Sequence, residues 1–100
     1  MKVNFQSVHF KADQKLLDFV QEKLNKLDRF YDRIVDGEVI FRLDKGEHGR
    51  ENKVVEIKLN APGHSLFSKS INTSFEAAAV EVVENLRRQI LKLKEKETSH

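Results

Sequence analysis

Cysteine and tryptophan are absent from this chain of 100 residues, and proline occurs once. Without cysteine there is no disulfide framework and no thiolate metal site, an absence that suits a reducing compartment. No apolar run approaches membrane-spanning length, and the opening Met1-Lys2-Val3-Asn4-Phe5 lacks the apolar core of a signal peptide. The expected address is therefore the cytoplasm, with no membrane partner. An excess of one charge sign is lacking as well, because 18 Lys and Arg residues face 16 Asp and Glu residues for a net charge of +2. Bulk charge does not advertise nucleic-acid binding, so any RNA site must come from local segregation of charge. What is present, 39% hydrophobic and 34% charged residues, suits one small soluble domain with a single core and a heavily charged surface.

Hydrophobic periodicity divides the chain into six elements. Residues 2–10 read as a strand with Val3 and Phe5 on one parity and Val8 and Phe10 on the other, which predicts a bend or bulge near Gln6 or Ser7. Asp13 suits a helix N-cap, and Leu16, Val20, Leu24, Leu27 and Tyr31 then recur at helical spacing, widened by Leu17 and Phe30. This predicts a first helix from about residue 13 to about residue 30. Its outer face mixes Lys15, Lys23, Lys26 and Arg29 with Asp18, Glu22 and Asp28. Alternation returns over residues 34–44, with Val39, Phe41 and Leu43 on one face, Glu38 and Arg42 on the other, and Gly37 marking a bulge or a weak start.

Residues 45–52 hold two glycines among charged side chains and read as a solvated hairpin loop. Over residues 53–61 the pattern is cleanest, Val55, Ile57, Leu59 and Ala61 alternating with Val54, Glu56, Lys58 and Asn60. Pro62-Gly63 supplies a tight turn, and residues 64–71 return as an antiparallel strand. Thr73 with Glu76 has the spacing of a capping box that opens a second helix, whose stripe is Phe75, Ala79, Val82, Leu86, Ile90 and Leu93. The order β-α-β-β-β-α predicts an α+β domain over residues 1–96 and a frayed polar tail over 97–100. Two layers follow: a four-stranded mixed sheet with both helices packed on one face and the other face polar and open to water. The helical crossover makes the first two strands parallel, and the two hairpins make the others antiparallel.

A search for catalytic chemistry returns nothing specific. His9, His48, His64 and His100 lie far apart without metal-ligand spacing, and Ser65, Ser68, Ser70 and Ser74 have no nucleophile-elbow context. Gly46-Glu47-His48-Gly49 has the spacing of a GXXG loop, yet it separates two strands and carries an acid. The aromatic pattern of an RNA-recognition sheet is missing. No enzyme activity, cofactor, metal or small-molecule substrate is expected.

The second helix carries the strongest local signal, since its charge changes sign halfway along. Glu76, Glu81 and Glu84 give way to Arg87, Arg88, Lys92, Lys94 and Lys96. The helix macrodipole alone favours acid at the start and base at the end, so stability is one explanation. Three details favour a polyanion surface. The cations begin more than two turns before the end, beyond the reach of the dipole; Leu91 lies off the apolar stripe between Arg87 and Lys94; and Lys23, Lys26 and Arg29 come alongside if the helices are neighbours.

The run Val55-Glu56-Ile57-Lys58-Leu59-Asn60-Ala61-Pro62-Gly63-His64, followed by Asn85-Leu86-Arg87-Arg88-Gln89-Ile90-Leu91-Lys92-Leu93-Lys94, resembles the ribosome hibernation promoting factors, also called ribosome-associated inhibitor A or YfiA-like proteins. Val3-Asn4-Phe5-Gln6-Ser7, Phe19-Val20 and Lys23-Leu24-Asn25-Lys26-Leu27 resemble the same family, so the likeness runs along essentially the whole chain. It implies a bacterial stress or stationary-phase factor that occupies the decoding region of the small ribosomal subunit. Messenger and transfer RNA would be occluded and translation inhibited. The family's basic positions match Lys23, Lys26 and Arg29 on the first helix and Arg87, Arg88, Lys92 and Lys94 on the second, which implies shape-led contact with ribosomal RNA phosphates.

The chain departs from many members in having Ser74 and Glu76 where they have an Asp and a Tyr, and Glu95 and Glu97 make its end less cationic. Long members append a domain that pairs ribosomes; none is expected here, and the free protein is expected to be a monomer. Two other classes compete. A double-stranded RNA binding domain shares the β-β-β-α portion, but it places lysines where Glu76 stands. A protein-interaction module, such as one modulating a transcription factor, needs an apolar open sheet face, against which Glu38, Arg42, Glu56 and Lys58 predict a polar one.

Overall fold

In the computed structural model, which describes residues 1–44 and 49–98, the elements are β1 (Lys2–Val8), α1 (Gln14–Phe30), β2 (Asp36–Leu43), β3 (Lys53–Ala61), β4 (His64–Asn72) and α2 (Phe75–Thr98). The sheet order is β1-β2-β3-β4, with β1 parallel to β2 and the other pairs antiparallel. This is the expected two-layer arrangement. The inner face of the sheet contributes Val39, Phe41, Val55, Ile57 and Leu59 to one core, which both helices seal. α1 supplies Leu16, Val20, Leu24 and Leu27, and α2 supplies Ala78, Ala79, Val82, Leu86, Ile90 and Leu93. Each fully buried Val, Leu, Ile or Phe contributes about 1.5–3 kcal/mol from removal of apolar area from water.

β1 contains no bulge. Its register with β2 runs unbroken from Lys2↔Asp36 to Val8↔Arg42, so the parity change has another cause. The strand stops at Val8, and His9 adopts a left-handed conformation with φ 64°. Few non-glycine residues adopt that geometry. The reversal accompanies an inward placement of Phe10, whose ring stacks on Phe75 at 4.9 Å between centroids. Phe75 in turn meets the edge of Phe41 at 5.7 Å.

Gly37 likewise marks no bulge, because the β2–β3 register is continuous. A Cβ at Gly37 would stand 2.9 Å from Leu59 Cδ2, so glycine there lets a buried leucine cross the strand. β2 begins at Asp36 rather than at residue 34: Ile34 is buried ahead of it, and Val35 N–H donates to the Asn60 carbonyl at 2.7 Å. Leu43, expected on the inner face, is exposed at the strand end. Gly63 takes a positive φ of 76° in the two-residue connection that joins Ala61 to its partner His64. The expected loop and GXXG spacing fall partly on residues 45–48, outside the described residues.

The open face departs from the polar expectation. Glu38, Arg42, Glu56 and Lys58 do lie on it, and Arg42 pairs with Glu56 across the strands. Apolar side chains stand among them: Val54 is buried beside Ile71, and Phe67 is 51% exposed opposite Lys58. Strict alternation assigned Val54 to the outer face correctly. Burial there follows from its cross-strand neighbours Arg42 and Ile71, whose contact sequence alternation does not show.

Candidate nucleic-acid interface

α1 starts where the Asp13 carboxylate accepts from Leu16 N–H at 2.8 Å, satisfying one orphan donor of the first turn. It ends at Phe30, with Tyr31 extended and its N–H bonded to the Leu27 carbonyl at 2.8 Å. α2 is capped by Ser74, not by Thr73: Ser74 Oγ accepts from Ala77 N–H at 3.0 Å. The reason is register. β4 remains paired through Asn72, Asn72 Oδ1 accepts from Thr73 N–H at 2.7 Å, and the helix begins at Phe75. Glu76 thus sits in the first turn without closing a capping box, where its charge still opposes the positive helix end.

The far end of α2 also differs from expectation. The helix continues through Thr98, into the stretch expected as a tail, and residues 99–100 lie outside the described ones. Tyr31 O–H donates to Glu97 Oε1 at 2.8 Å, and Thr98 Oγ1 donates to the Lys94 carbonyl at 3.0 Å. Tyr31 is buried. Burial, reinforced by the hydrogen bond to Glu97 and its negative charge, raises the phenol above the ordinary tyrosine value.

The seven expected cations fall into three groups. Arg87 and Lys94, two helical turns apart, both reach back to α1. The Arg87 guanidinium lies over the Phe30 ring at 4.4 Å from its centroid, and Lys94 Nζ lies over the same ring at 4.2 Å. Lys94 Nζ also donates to the Phe30 carbonyl at 3.0 Å. On α1, Lys23 and Lys26 share the flank that carries Phe30 through spacings of three and four residues. Lys23 Nζ stands 5.0 Å from the Phe19 ring, Lys26 is exposed, and Arg29 is exposed next to Phe30. Arg88 and Lys92 form the third group. They turn away from α1, Arg88 toward Lys69, Glu81 and Glu84, and Lys92 toward His64 and Lys96.

Lys23 and Lys26 make no described contact with α2; the structure puts Arg87 and Lys94 on the α1 side of the α2 ridge, with Arg29 near Lys94, and Arg88 and Lys92 on its opposite side. Leu91 lies on the crest between them, 47% exposed. Among the described residues, none of the seven cations is ion-paired with a carboxylate; the pairs present are Met1 N with Asp28, Arg33 with Glu97 and Arg42 with Glu56. Sequence reasoning missed the two aromatic seats. Phe19 to Lys23 is an i, i+4 spacing visible in the sequence, whereas Phe30 meets α2 only through the tertiary fold.

A two-layer α+β domain whose two neighbouring helices carry cations on both sides of the α2 ridge is the class that fold and surface define. Residues 3–98 match the family described as Sigma 54 modulation protein / S30EA ribosomal protein. The chain is similar to a ribosome hibernation promoting factor of Pseudomonas putida, with 31% identity over 99 residues that cover 99% of this chain and 92% of that protein. Two solved structures share the fold. A ribosomal subunit interface protein from Coxiella burnetii superposes with a TM-score of 0.84 at 18% identity, covering 94% of this chain and 98% of that one. The N-terminal domain of Protein Y from Thermus thermophilus gives a TM-score of 0.78 at 22% identity, covering 93% and 99%. The chain belongs to the ribosome hibernation promoting factor family. That family comprises binding proteins, and the protein is not an enzyme. No described helix is long and apolar enough to cross a membrane.

Proposed function

We propose that this protein is a cytoplasmic hibernation factor that binds the small ribosomal subunit, alone or in the full ribosome, in the decoding region. Its bulk there excludes messenger and transfer RNA, and translation stops without any bond being made or broken. The partner surface is ribosomal RNA, met through phosphates by Lys23, Lys26, Arg29, Arg87, Arg88, Lys92 and Lys94. The protein is a monomer when free and acts in stress or stationary phase. One observation carries the reading: seven cations line two adjoining helices, and none is neutralised by a described carboxylate. Solvated ammonium and guanidinium groups of this kind release counterions when phosphates approach. Membership of the hibernation family supplies the ribosome as the source of those phosphates.

The open sheet face gives the protein-interaction alternative little support, because Phe67 is its one largely exposed big apolar side chain among the described residues, surrounded by Lys58, Lys69 and the Arg42–Glu56 pair. Isolated apolar residues are ordinary on protein surfaces. The test is co-sedimentation with ribosomes and with isolated small subunits across a salt series. If about five phosphates are met, log affinity falls against log salt with a slope of roughly −4. Replacing Arg87, Arg88 and Lys92 together by Ala weakens pelleting and relieves inhibition of translation while the fold persists. Absence of pelleting at low salt, or indifference to salt, sinks the reading.

A further inference from the structure

Phe30 holds a position unlike that of any other aromatic in the domain. It is half-buried at the last turn of α1, and its single ring receives two cations from α2, Arg87 at 4.4 Å and Lys94 at 4.2 Å. The two cations are not equivalent. Lys94 spends one of its three donors on the Phe30 carbonyl at 3.0 Å, a group at the α1 C-terminus that has no partner within its own helix. Arg87 has no described hydrogen bond or ion pair, and its described electrostatic contact beyond α2 is the ring. A guanidinium resting on an aromatic face keeps its five N–H donors in a plane around its edge, free for a planar or tetrahedral anion.

We propose that Phe30 is a positioning residue for phosphate recognition: its ring holds the Arg87 guanidinium in a fixed orientation toward an RNA phosphate, while Lys94 straps α2 to the end of α1. The inference rests on the RNA-binding reading above and refines it, since Arg87 then meets its phosphate already oriented by the ring. The physical gain is preorganisation. A free arginine loses rotamer freedom when it binds, and a seated one has lost part of it already. The same ring joins the two helices where Arg29 of α1 comes near Lys94 of α2.

The experiment measures affinity for purified ribosomes by co-sedimentation for wild type, F30L, F30Y, R87A and F30L/R87A, each first checked by thermal melting. F30L, which removes the ring, weakens binding about three- to tenfold, and F30Y, which keeps it, does not. In the R87A background F30L causes no further loss. R87A makes the salt dependence shallower by just under one unit of slope. Equal losses from F30L with and without Arg87 overturn the positioning role, since a general distortion acts on both backgrounds alike. Wild-type affinity in F30L overturns it too. Wild-type protein that does not pellet with ribosomes overturns the functional reading itself, an outcome distinct from all of these.

Discussion

The first half of α2 is fastened to the sheet and the second half to the other helix. Near the start, Ser74 caps the helix, Asn72 Nδ2 donates to Glu81, and Phe75 stacks on Phe10. Beyond Leu86 the ties reach α1 and its end: Arg87 and Lys94 rest on Phe30, and Glu97 accepts from Tyr31. Gln89 turns back to β4, donating to the Phe67 carbonyl at 2.8 Å. The acids of the early half thus serve local needs, while most cations of the later half are left to solvent or to aromatic rings. A macrodipole acts within about one turn of the helix end, and Arg87 and Arg88 lie farther away than that. Charge reversal along α2 is therefore two features with separate causes.

The largest effect is expected where the halves are alike, in the shared apolar stripe. Ile90→Ala, in the later half, lowers unfolding free energy by about 3 kcal/mol in denaturant melts, because its buried side chain leaves a cavity between α2 and the sheet. A loss below about 1 kcal/mol would show the later half held chiefly by its polar ties instead. Next come the caps. Ser74→Ala costs about 1 kcal/mol and Thr73→Ala less than half of that; the reverse ranking moves the helix start to Thr73.

Tyr31→Phe removes the tie to Glu97 and costs about 1 kcal/mol, with more rapid amide exchange confined to the last turn of α2. The same contact sets a pH dependence. The phenol is held neutral in the fold, so its share of stability is complete below about pH 10, the ordinary tyrosine value, and is lost as pH rises through the higher folded value. Tyrosinate absorbance followed alongside thermal melts checks the direction, and ionisation at or below the free-tyrosine value contradicts it. The smallest expected stability effect belongs to Arg88→Ala with Lys92→Ala, within about 0.5 kcal/mol of wild type although ribosome binding falls. A stability loss as large as that of Ser74→Ala would return these cations to a dipole role.

Element order, strand pairing and the two helical stripes were legible in the sequence because periods of 2 and 3.6 report burial directly. Residues at the margins were not. Val54 and Leu43 are both apolar strand residues, yet the outer one is buried and the inner one exposed, since cross-strand neighbours and strand ends decide what parity cannot. Thr73 and Ser74 are equally good caps by type, and the choice between them lies in how far β4 stays paired. The candidate cations were visible as charges. Their division into groups was not, because Phe30 and Lys94 meet across 64 positions of chain, and only the packing of α1 against α2 makes that contact.

The parallel pairing of β1 with β2 has a consequence for the order of assembly. Strands β2, β3 and β4 pair with strands adjacent to them in the chain, whereas Lys2 waits for Asp36 until the whole of α1 has been made. A chain leaving its own ribosome therefore carries β1 unpaired through the synthesis of that helix, and the entropy of the enclosed loop is recovered only when β2 arrives. The edge made first is the edge sealed late, and hydrogen exchange should find β1 amides less protected than those of β3, which is bonded on both sides.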